Sequence, residues 1–401
     1  MGYIQLGYRP GNDIVCEFYF EPAAGVSARV AAENIAGESS IGTWVDVPGT
    51  RKQLGAKVFS IKKNIVKIAY PLDLFEPGNV PQLLSSVAGN VFGMKIVKNL
   101  RLNDISFPKK YVKSFRGPNV GLNDLRKMTG VKKRPLVGTI YKPKLGLRPD
   151  EMAKLAYKVY SNGIDYTKDD ENLASMRFNK FEDRVIKVLG VVDRIKSEQG
   201  RQVVYAANIT ASTDDMLKRA EFVKDHGGKC IMIDILTAGW SGLQTIRNQN
   251  FKMIIHAHRA SHGAFTHNPK HGISMKVIAK LSRLVGVTGL HTGAVVGKMK
   301  GDEREIVEID NFLRSEWYGL KKTIPIASGG VYPGLIPKII KILGNDIIVN
   351  CGGGLWGHSM GAEAGAKAMR QAVNATMEGI SLKEYAQNHK ELEIAIKQWG
   401  C

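Results

Sequence analysis

Tyr166-Thr167-Lys168-Asp169-Asp170-Glu171-Asn172 ends a short apolar run and sets one amine among three carboxylates. In an extended strand alternate side chains share a face, so Lys168 and Asp170 point the same way, with Glu171 turning in where the strand ends. Two chemistries suit such a cluster. A charged lysine would be an ion-pair partner in a solvated acidic patch. An uncharged lysine amine can instead take up CO2 and become a carbamate, an anionic oxygen donor. Lys168, Asp170 and Glu171 would then form a three-oxygen set suited to a hard, six-coordinate cation such as Mg2+. What the neighbouring strands carry at their ends bears on the choice.

From about Val137 short apolar runs alternate with longer amphipathic stretches. The strand candidates are 136–141, 163–168, 202–209, 229–235, 252–258, 287–292, 323–328 and 346–351. Eight strands with helices between them predict an α/β fold of the (β/α)8 TIM-barrel type. Lysines, carboxylates, histidines, a serine and glycine clusters fall at the carboxyl end of nearly every candidate strand, where barrel enzymes build their sites. The residues before the barrel differ in pattern. Strand-like runs at 14–20 and 65–70 and an alanine-rich helical run at 26–36 predict a small α+β domain. Phe115-Arg116-Gly117-Pro118-Asn119 reads as the linker. The expected division is therefore 1–117 and 118–401, with a helical tail at 382–399.

A chain of 401 residues has room for two domains with substantial cores, and 44% apolar with 23% charged residues is ordinary globular composition. No segment stays apolar and uncharged for the ~20 residues a membrane helix needs. The N-terminus lacks the basic-then-apolar layout of a signal peptide. Cys16, Cys230, Cys351 and Cys401 lie far apart with no CxxC pair, which speaks against a disulfide framework or a zinc site and for a reducing cytoplasm. The net charge of +20 is the one extreme value, and it fits nucleic-acid binders. Yet the basic residues are spread in short groups such as Lys62-Lys63, Lys109-Lys110 and Lys132-Lys133-Arg134, with no basic tail. Diffuse charge serves equally to attract a polyanionic small substrate or to keep the chain in solution. Neither nucleic acid nor membrane is an expected partner.

The other strand ends carry their own chemistry. Lys142 and Lys144 share a face after the first barrel strand, as a proton-exchanging pair or as an anion-binding pair. His256-Ala257-His258-Arg259 ends the fifth. His-x-His is also a zinc motif, although no cysteine or third histidine accompanies it, and Arg259 suits bidentate phosphate binding. After the sixth come His291-Thr292-Gly293 and then Gly297-Lys298-Met299-Lys300-Gly301, a lysine between glycines that reads as a lid or as an ordinary surface loop. Ser328-Gly329-Gly330 and Gly352-Gly353-Gly354 follow strands seven and eight. There, glycine lets backbone N–H groups approach an anion, at the usual phosphate position of such barrels.

Taken together these residues resemble the large subunit of ribulose-1,5-bisphosphate carboxylase/oxygenase (Rubisco). The matching motifs are Glu38-Ser39-Ser40 with GTWVDV (42–47), AGNVFGMK (88–95), KPKLGL (142–147), DYTKDDEN (165–172), HAHRASHGAF (256–265), NPKHGISM (268–275), HTGAVVGK (291–298), ASGG (327–330) and CGGGLWGH (351–358). They span both expected domains.

The resemblance implies that Lys168 is carbamylated by activator CO2 and holds Mg2+ with Asp170 and Glu171. The carbamate would take the C3 proton of ribulose bisphosphate. Lys142 would serve further proton transfers, with Lys144 tuning it, and His258 would assist them. Lys298 on the lid would meet the new carboxylate. It further implies that Arg259, His291 and Ser328 bind one phosphate, and that Gly329, Gly330, Gly352 and Gly353, with Thr43 and Trp44, bind the other. Glu38, Thr43, Trp44 and Asn90 would come from the neighbouring subunit of a homodimer or ring of dimers.

Two departures stand out. Ile140 replaces the threonine of plant-type sequences, and Lys300 an acidic residue of their lid. The chain reads closest to the archaeal form III branch, whose members consume ribulose bisphosphate from nucleotide salvage and need no small subunit. The expected activity is carboxylation of ribulose bisphosphate, with O2 as a competing substrate. The alternative is a Rubisco-like enolase or isomerase of sulfur salvage, which has no use for the Lys298 and Glu38 pair retained here.

Overall fold

The structure, a computed structural model, describes residues 2–42, 47–296 and 302–401. In chain order its strands are β1 (Asp13–Pro22), β2 (Lys57–Lys62), β3 (Ile65–Pro71), β4 (Val97–Ser106), β5 (Leu136–Ile140), β6 (Tyr166–Lys168) and β7 (Val204–Asn208). They continue with β8 (Cys230–Asp234), β9 (Ile254–His258), β10 (Gly272–Ile273), β11 (Gly289–His291), β12 (Ile324–Ser328) and β13 (Ile348–Cys351). The chain divides into two compact units, Met1–Arg116 with Ser261–Val285, and Gly117–Ala260 with Gly286–Cys401.

In the first unit a sheet runs in the order β10-β4-β1-β3-β2. Strand β1 buries Ile14, Cys16, Phe18 and Phe20, every second residue, as a half-covered strand must. The helix Ala28–Glu38 starts at Ser27, whose hydroxyl accepts the Val30 N–H, and buries Ala31, Ala32, Ile35 and Ala36. Strands β1 and β3 and this helix were legible in the sequence; β2 and β4 were not. Asn99, Arg101, Asn103 and Asp104 break the apolar rhythm of β4; Asn99 donates to Glu21 on β1, while Arg101 and Asp104 serve the 261–285 segment. Arg101 donates to the Asn268 carbonyl at 2.6 Å, and Asp104 pairs with Lys276 at 3.0 Å and with Lys280. That segment, left within 118–401 by strand counting, thus groups by contact with the first unit.

In the second unit β5 to β9 and β11 to β13, all parallel, close in the order β11-β12-β13-β5-β6-β7-β8-β9, the barrel the sequence predicts. All eight candidate segments contain their strand. The interior cluster takes Leu136, Tyr166, Val204, Ala206, Cys230, Met232, Ile254, Ile324, Ile326 and Ile348, joined by Leu122 and Leu125 of the helix Leu122–Thr129. The side-chain period of two then dictates which later residues of each strand share that face. Beyond the apolar filling come Lys168, Asn208, Asp234, Ser328 and Asn350, with His256 and His258 on β9. The fold thereby converts alternation along each strand into an apolar floor and a polar rim.

At the amino end the Asp165 carboxylate gathers arginines from three segments. Arg134 binds it at 2.6 and 3.0 Å, Arg370 at 2.8 Å and Arg201 at 3.4 Å, and the Val137 N–H adds a bond at 2.9 Å. Burial works to raise its pKa, but Arg134, Arg370 and the Val137 N–H outweigh it and hold the carboxyl below its ordinary range. Asp165→Ala strands these cations around an empty position. It should cost about 3 kcal/mol in denaturant unfolding while leaving the groups at the opposite rim in place.

Candidate active site at the carboxyl end of the barrel

Lys168 ends β6 almost fully buried. Its Nζ donates to the Asp169 carbonyl at 2.9 Å and pairs with Glu171 Oε2 at 3.1 Å. Asp170, equally buried, takes the Lys142 ammonium at 2.9 Å, and Lys144 reaches Asn172 at 2.9 Å. The two lysines after β5 therefore both lean over the loop after β6. The third carboxylate of the run does different work. Asp169 is fully buried against Arg184 at 3.0 Å, the Tyr205 hydroxyl at 2.8 Å and the Asn208 N–H at 2.9 Å. The Asn208 amide donates to the carbonyls of Glu171 and Leu173 at 3.2 Å, pinning the loop from β7. Burial pushes the Glu171 pKa upward, but Lys168 and then His258 overcome it and hold the carboxyl at about 2.

On β9 the two histidines part company. His258 Nδ1 accepts the Ala260 N–H at 3.2 Å and lies at ion-pair distance, 2.9 Å, from Asp234 Oδ1. Its Nε2 faces Glu171 Oε2 at 3.5 Å. Deeper in, His256 Nδ1 meets the Tyr166 hydroxyl at 2.9 Å, and its Nε2 meets His291 Nε2 at 2.8 Å. His291 Nδ1 in turn meets Ser328 Oγ at 2.7 Å. With both ring nitrogens engaged by protein, His256 offers no lone pair to a metal, so the His-x-His sequence does not present a zinc pair. Burial drives both rings well below the ordinary histidine pKa. Lys168 and His258 add to the effect at His256, and His258 and His256 at His291.

Arg259 follows at the rim, lowered by burial to about 10 against the pull of Glu305 and Asp310. Asp310, on the helix Glu303–Arg314, is fully buried and lifted by that burial to about 7, against Thr292, Arg314 and Arg259.

The glycine clusters close the ring. Gly329 and Gly330 adopt φ of +109° and +77°, which side-chain-bearing residues rarely reach. A Cβ on Gly352 would lie 3.3 Å from Ile140 Cγ2 and 3.9 Å from Lys142 Cε, so β13 ends beside the β5 lysine. Trp356 fastens this corner by donating to the Ile140 carbonyl at 2.6 Å.

The barrel thus brings together Lys142, Lys144, Lys168, Asp170, Glu171, His258, Arg259, His291, Ser328, Gly329, Gly330, Gly352 and Gly353. Glu38 and Asn90 belong to the other unit and are exposed there. Glu38 lines a cleft of about 350 Å³ with Tyr3 and Met94. Gly42 turns so tightly that a Cβ would meet Gly37 backbone at 2.6 Å. Thr43, Trp44 and Lys298 lie outside the described residues. Sequence reading missed Asp234, Tyr166 and Asn208, although each stands two residues beyond an interior residue or two before a polar one on its strand. Nothing in the sequence marks Asp310.

A carboxyl raised from ~3.9 to about 7 binds its proton more tightly in the native state than in the unfolded chain. Its contribution to stability therefore declines as pH climbs from about 4 to about 7 and is level above. Asp310→Asn should remove that slope. Thermal midpoints compared at acid and at mildly alkaline pH should show the variant gaining on the parent as pH rises.

Comparison with known proteins gives a consistent result. A family model for the ribulose bisphosphate carboxylase large chain, N-terminal domain, matches residues 2–111, and one for its catalytic domain matches 121–399. The ribulose bisphosphate carboxylase of Pyrococcus furiosus is 49% identical over 410 residues, covering 100% of this chain and 97% of the relative. That of Methanosarcina barkeri is 47% identical, covering 99% and 98%. Among solved structures, octameric Rubisco from Pyrococcus horikoshii OT3 with sulfate ion superposes with a TM-score of 0.96 at 48% identity, covering 99% and 96%. Dimeric archaeal Rubisco from Hyperthermus butylicus superposes at 0.93 with 43% identity, covering 99% and 98%.

Proposed function

Because the chain belongs to the ribulose bisphosphate carboxylase large-chain family, we propose that it adds CO2 and water to ribulose 1,5-bisphosphate and cleaves the product to two 3-phosphoglycerates, with O2 as a competing substrate. The observation that carries this reading is the buried Lys168 amine, 3.1 Å from Glu171 and one residue from the buried Asp169-Asp170 pair. In the unmodified chain two ammonium groups, Lys168 and Lys142, neutralise the carboxylates of Glu171 and Asp170. Addition of CO2 to Lys168 replaces one of those cations with an anion. Three oxygen anions then face a single lysine, a charge balance that calls for a divalent cation, and the donors are of the hard type that Mg2+ takes. Bound there, Mg2+ would stabilise the negative charge that develops on the substrate when its C3 proton leaves.

The remaining roles follow from position. Lys142 reaches the site from β5 and can pass protons to the substrate carbon, with Lys144 beside it. His258, oriented by Asp234, faces the same loop as a proton carrier. Arg259 and Ser328 would take one phosphate, with His291, both of whose ring nitrogens are engaged, contributing through its bond to Ser328. Gly329, Gly330, Gly352 and Gly353, with Thr43 and Trp44, would take the other. Lys298 would receive the new carboxylate. Nucleotide salvage is the proposed setting, in a reducing cytoplasm, on the strength of the likeness to archaeal members. The cysteines are free, Cys401 exposed and the others buried, and no helix of the described residues is long and apolar enough to cross a membrane.

Fixation of labelled CO2 onto ribulose bisphosphate, with identification of 3-phosphoglycerate, tests the activity directly. Isomerised substrate without label would instead show enolisation without gas addition, the chemistry of the Rubisco-like alternative. Lys168→Ala should lose fixation entirely. In the parent chain, preincubation with CO2 and Mg2+ should activate better toward alkaline pH, since only the neutral amine reacts. Carboxylation by the variant at the parent rate would remove the metal-site argument.

Assembly into a homodimer or a ring of dimers, without a small subunit, is proposed from the family likeness, with Glu38 and Asn90 completing the partner's site. Glu38→Gln and Lys168→Ala homodimers should both be inactive. Chains refolded together should regain activity, because one site of each mixed dimer escapes both lesions. Proven heterodimers without recovery would place both residues of a site on one chain.

A further inference from the structure

Tyr166, His256, His291 and Ser328 form an unbroken chain of contacts at 2.9, 2.8 and 2.7 Å across β6, β9, β11 and β12. Its deep end is closed by the Cys230 thiol, 3.0 Å from the Tyr166 hydroxyl. Apart from the part-exposed Ser328 every member is buried, so each hydrogen in the chain has to find its partner within it. The roles assigned above use only the rim end of this chain.

Geometry restricts the chain severely. Two Nε2 atoms at 2.8 Å cannot both carry hydrogen, so one imidazole donates there and the other accepts. With neutral rings that choice propagates in both directions and leaves two arrangements. In the first, the Tyr166 O–H donates to His256 Nδ1, His256 Nε2–H donates to His291, and His291 Nδ1–H donates to Ser328 Oγ. The serine oxygen is then occupied as an acceptor, and its own hydrogen is free to point into the site. In the second every hydrogen is reversed. Ser328 donates backward to His291, and only lone pairs face an arriving anion.

The two arrangements differ in which hydroxyl feeds the histidine pair. A phenol is a much stronger hydrogen-bond donor than an alkyl hydroxyl. In the reversed arrangement the Tyr166 hydrogen would be left to a thiol sulfur, a weak acceptor. We propose that Tyr166 and His256 are positioning residues that act through His291 to aim the Ser328 hydroxyl hydrogen outward, setting Ser328 as a donor to an anionic oxygen of the substrate. This deepens the proposed function and rests on its placing of Ser328 against substrate. The anion itself adds a charge-assisted bond that favours the same direction.

Tyr166→Phe keeps the ring and its packing but removes the stronger donor. Two readouts test the proposal on the assembled enzyme. Without substrate, nitrogen spectra of protein labelled at histidine report which ring nitrogen carries hydrogen, with His256→Gln assigning its signals. The parent should show hydrogen on His256 Nε2 and His291 Nδ1, and Tyr166→Phe should shift both toward the opposite tautomers. With substrate, Tyr166→Phe should raise KM for ribulose bisphosphate about three- to tenfold, the size of one hydrogen bond, with a smaller change in kcat. In a Ser328→Ala background the same change should move KM less than about twofold. Unchanged tautomers in Tyr166→Phe, or an equal KM penalty with and without Ser328, would overturn the relay. Ser328→Ala with unaltered KM would overturn the substrate role of Ser328, while the spectra still decide the relay.

Discussion

An ammonium group inside a barrel has to find a counter-charge, and at Lys168 that counter-charge is the Glu171 carboxylate at 3.1 Å. The arrangement of the rim follows from that need. Glu171 can turn back toward the strand because the loop is pinned by Asn208, and Asn208 is placed by Asp169, whose own charge is met by Arg184 beneath. Asp170 then needs a cation, and Lys142 arrives from the adjacent strand. One apolar stretch ending in three acids is thus divided by the fold into a buried brace, Asp169, and two carboxylates paired with lysines at the rim. Lys142 and Lys168 balance the charge of those two carboxylates.

The histidine pair beneath the rim is governed by the opposite condition. With both rings buried and Lys168, His258 and Arg259 among their neighbours, a further positive charge is unfavourable, so His256 and His291 remain neutral and interact through hydrogen bonds alone. At Arg259 the pull of Glu305 and Asp310 opposes the burial that lowers its pKa, while burial alone lifts Asp310, against Thr292, Arg314 and Arg259. The proposed bisphosphate substrate would draw on this imbalance. The cations stand at the rim and the neutral histidine pair lies deeper. The net charge of +20 extends the same bias over the whole chain.

Much of this was legible in the residues themselves. Alternation of apolar runs with amphipathic stretches is enough for a barrel, since parallel strands buried on both sides read as short apolar runs. Their carboxyl ends carry the reactive groups in plain view, from Lys142 to Gly353. Strand β4 was hidden because its polar residues meet a segment far along the chain, as Asp104 meets Lys280 and Arg101 meets Asn268. No local pattern records such a pairing between distant segments. Asp310 was hidden for a related reason, because a carboxylate on an amphipathic helix reads as solvent-facing until a neighbour covers it.

The sequence by itself determined the barrel, the family and the identity of the rim residues, since these depend on period and on residue type, both local properties. Only the tertiary structure decided how those residues divide the work. It made Asp169 a brace and Asp170 a ligand candidate, and it turned His256 inward to Tyr166 and His291 while His258 faced Glu171. It also gathered the arginines on Asp165 at the far end. Those assignments rest on which strands become neighbours when the barrel closes, and neighbouring strands such as β9 and β11 are separated in the chain by a segment that belongs to the other unit. The strength of a charge or hydrogen bond is set by distance in space and by burial, quantities that do not exist until the chain is folded.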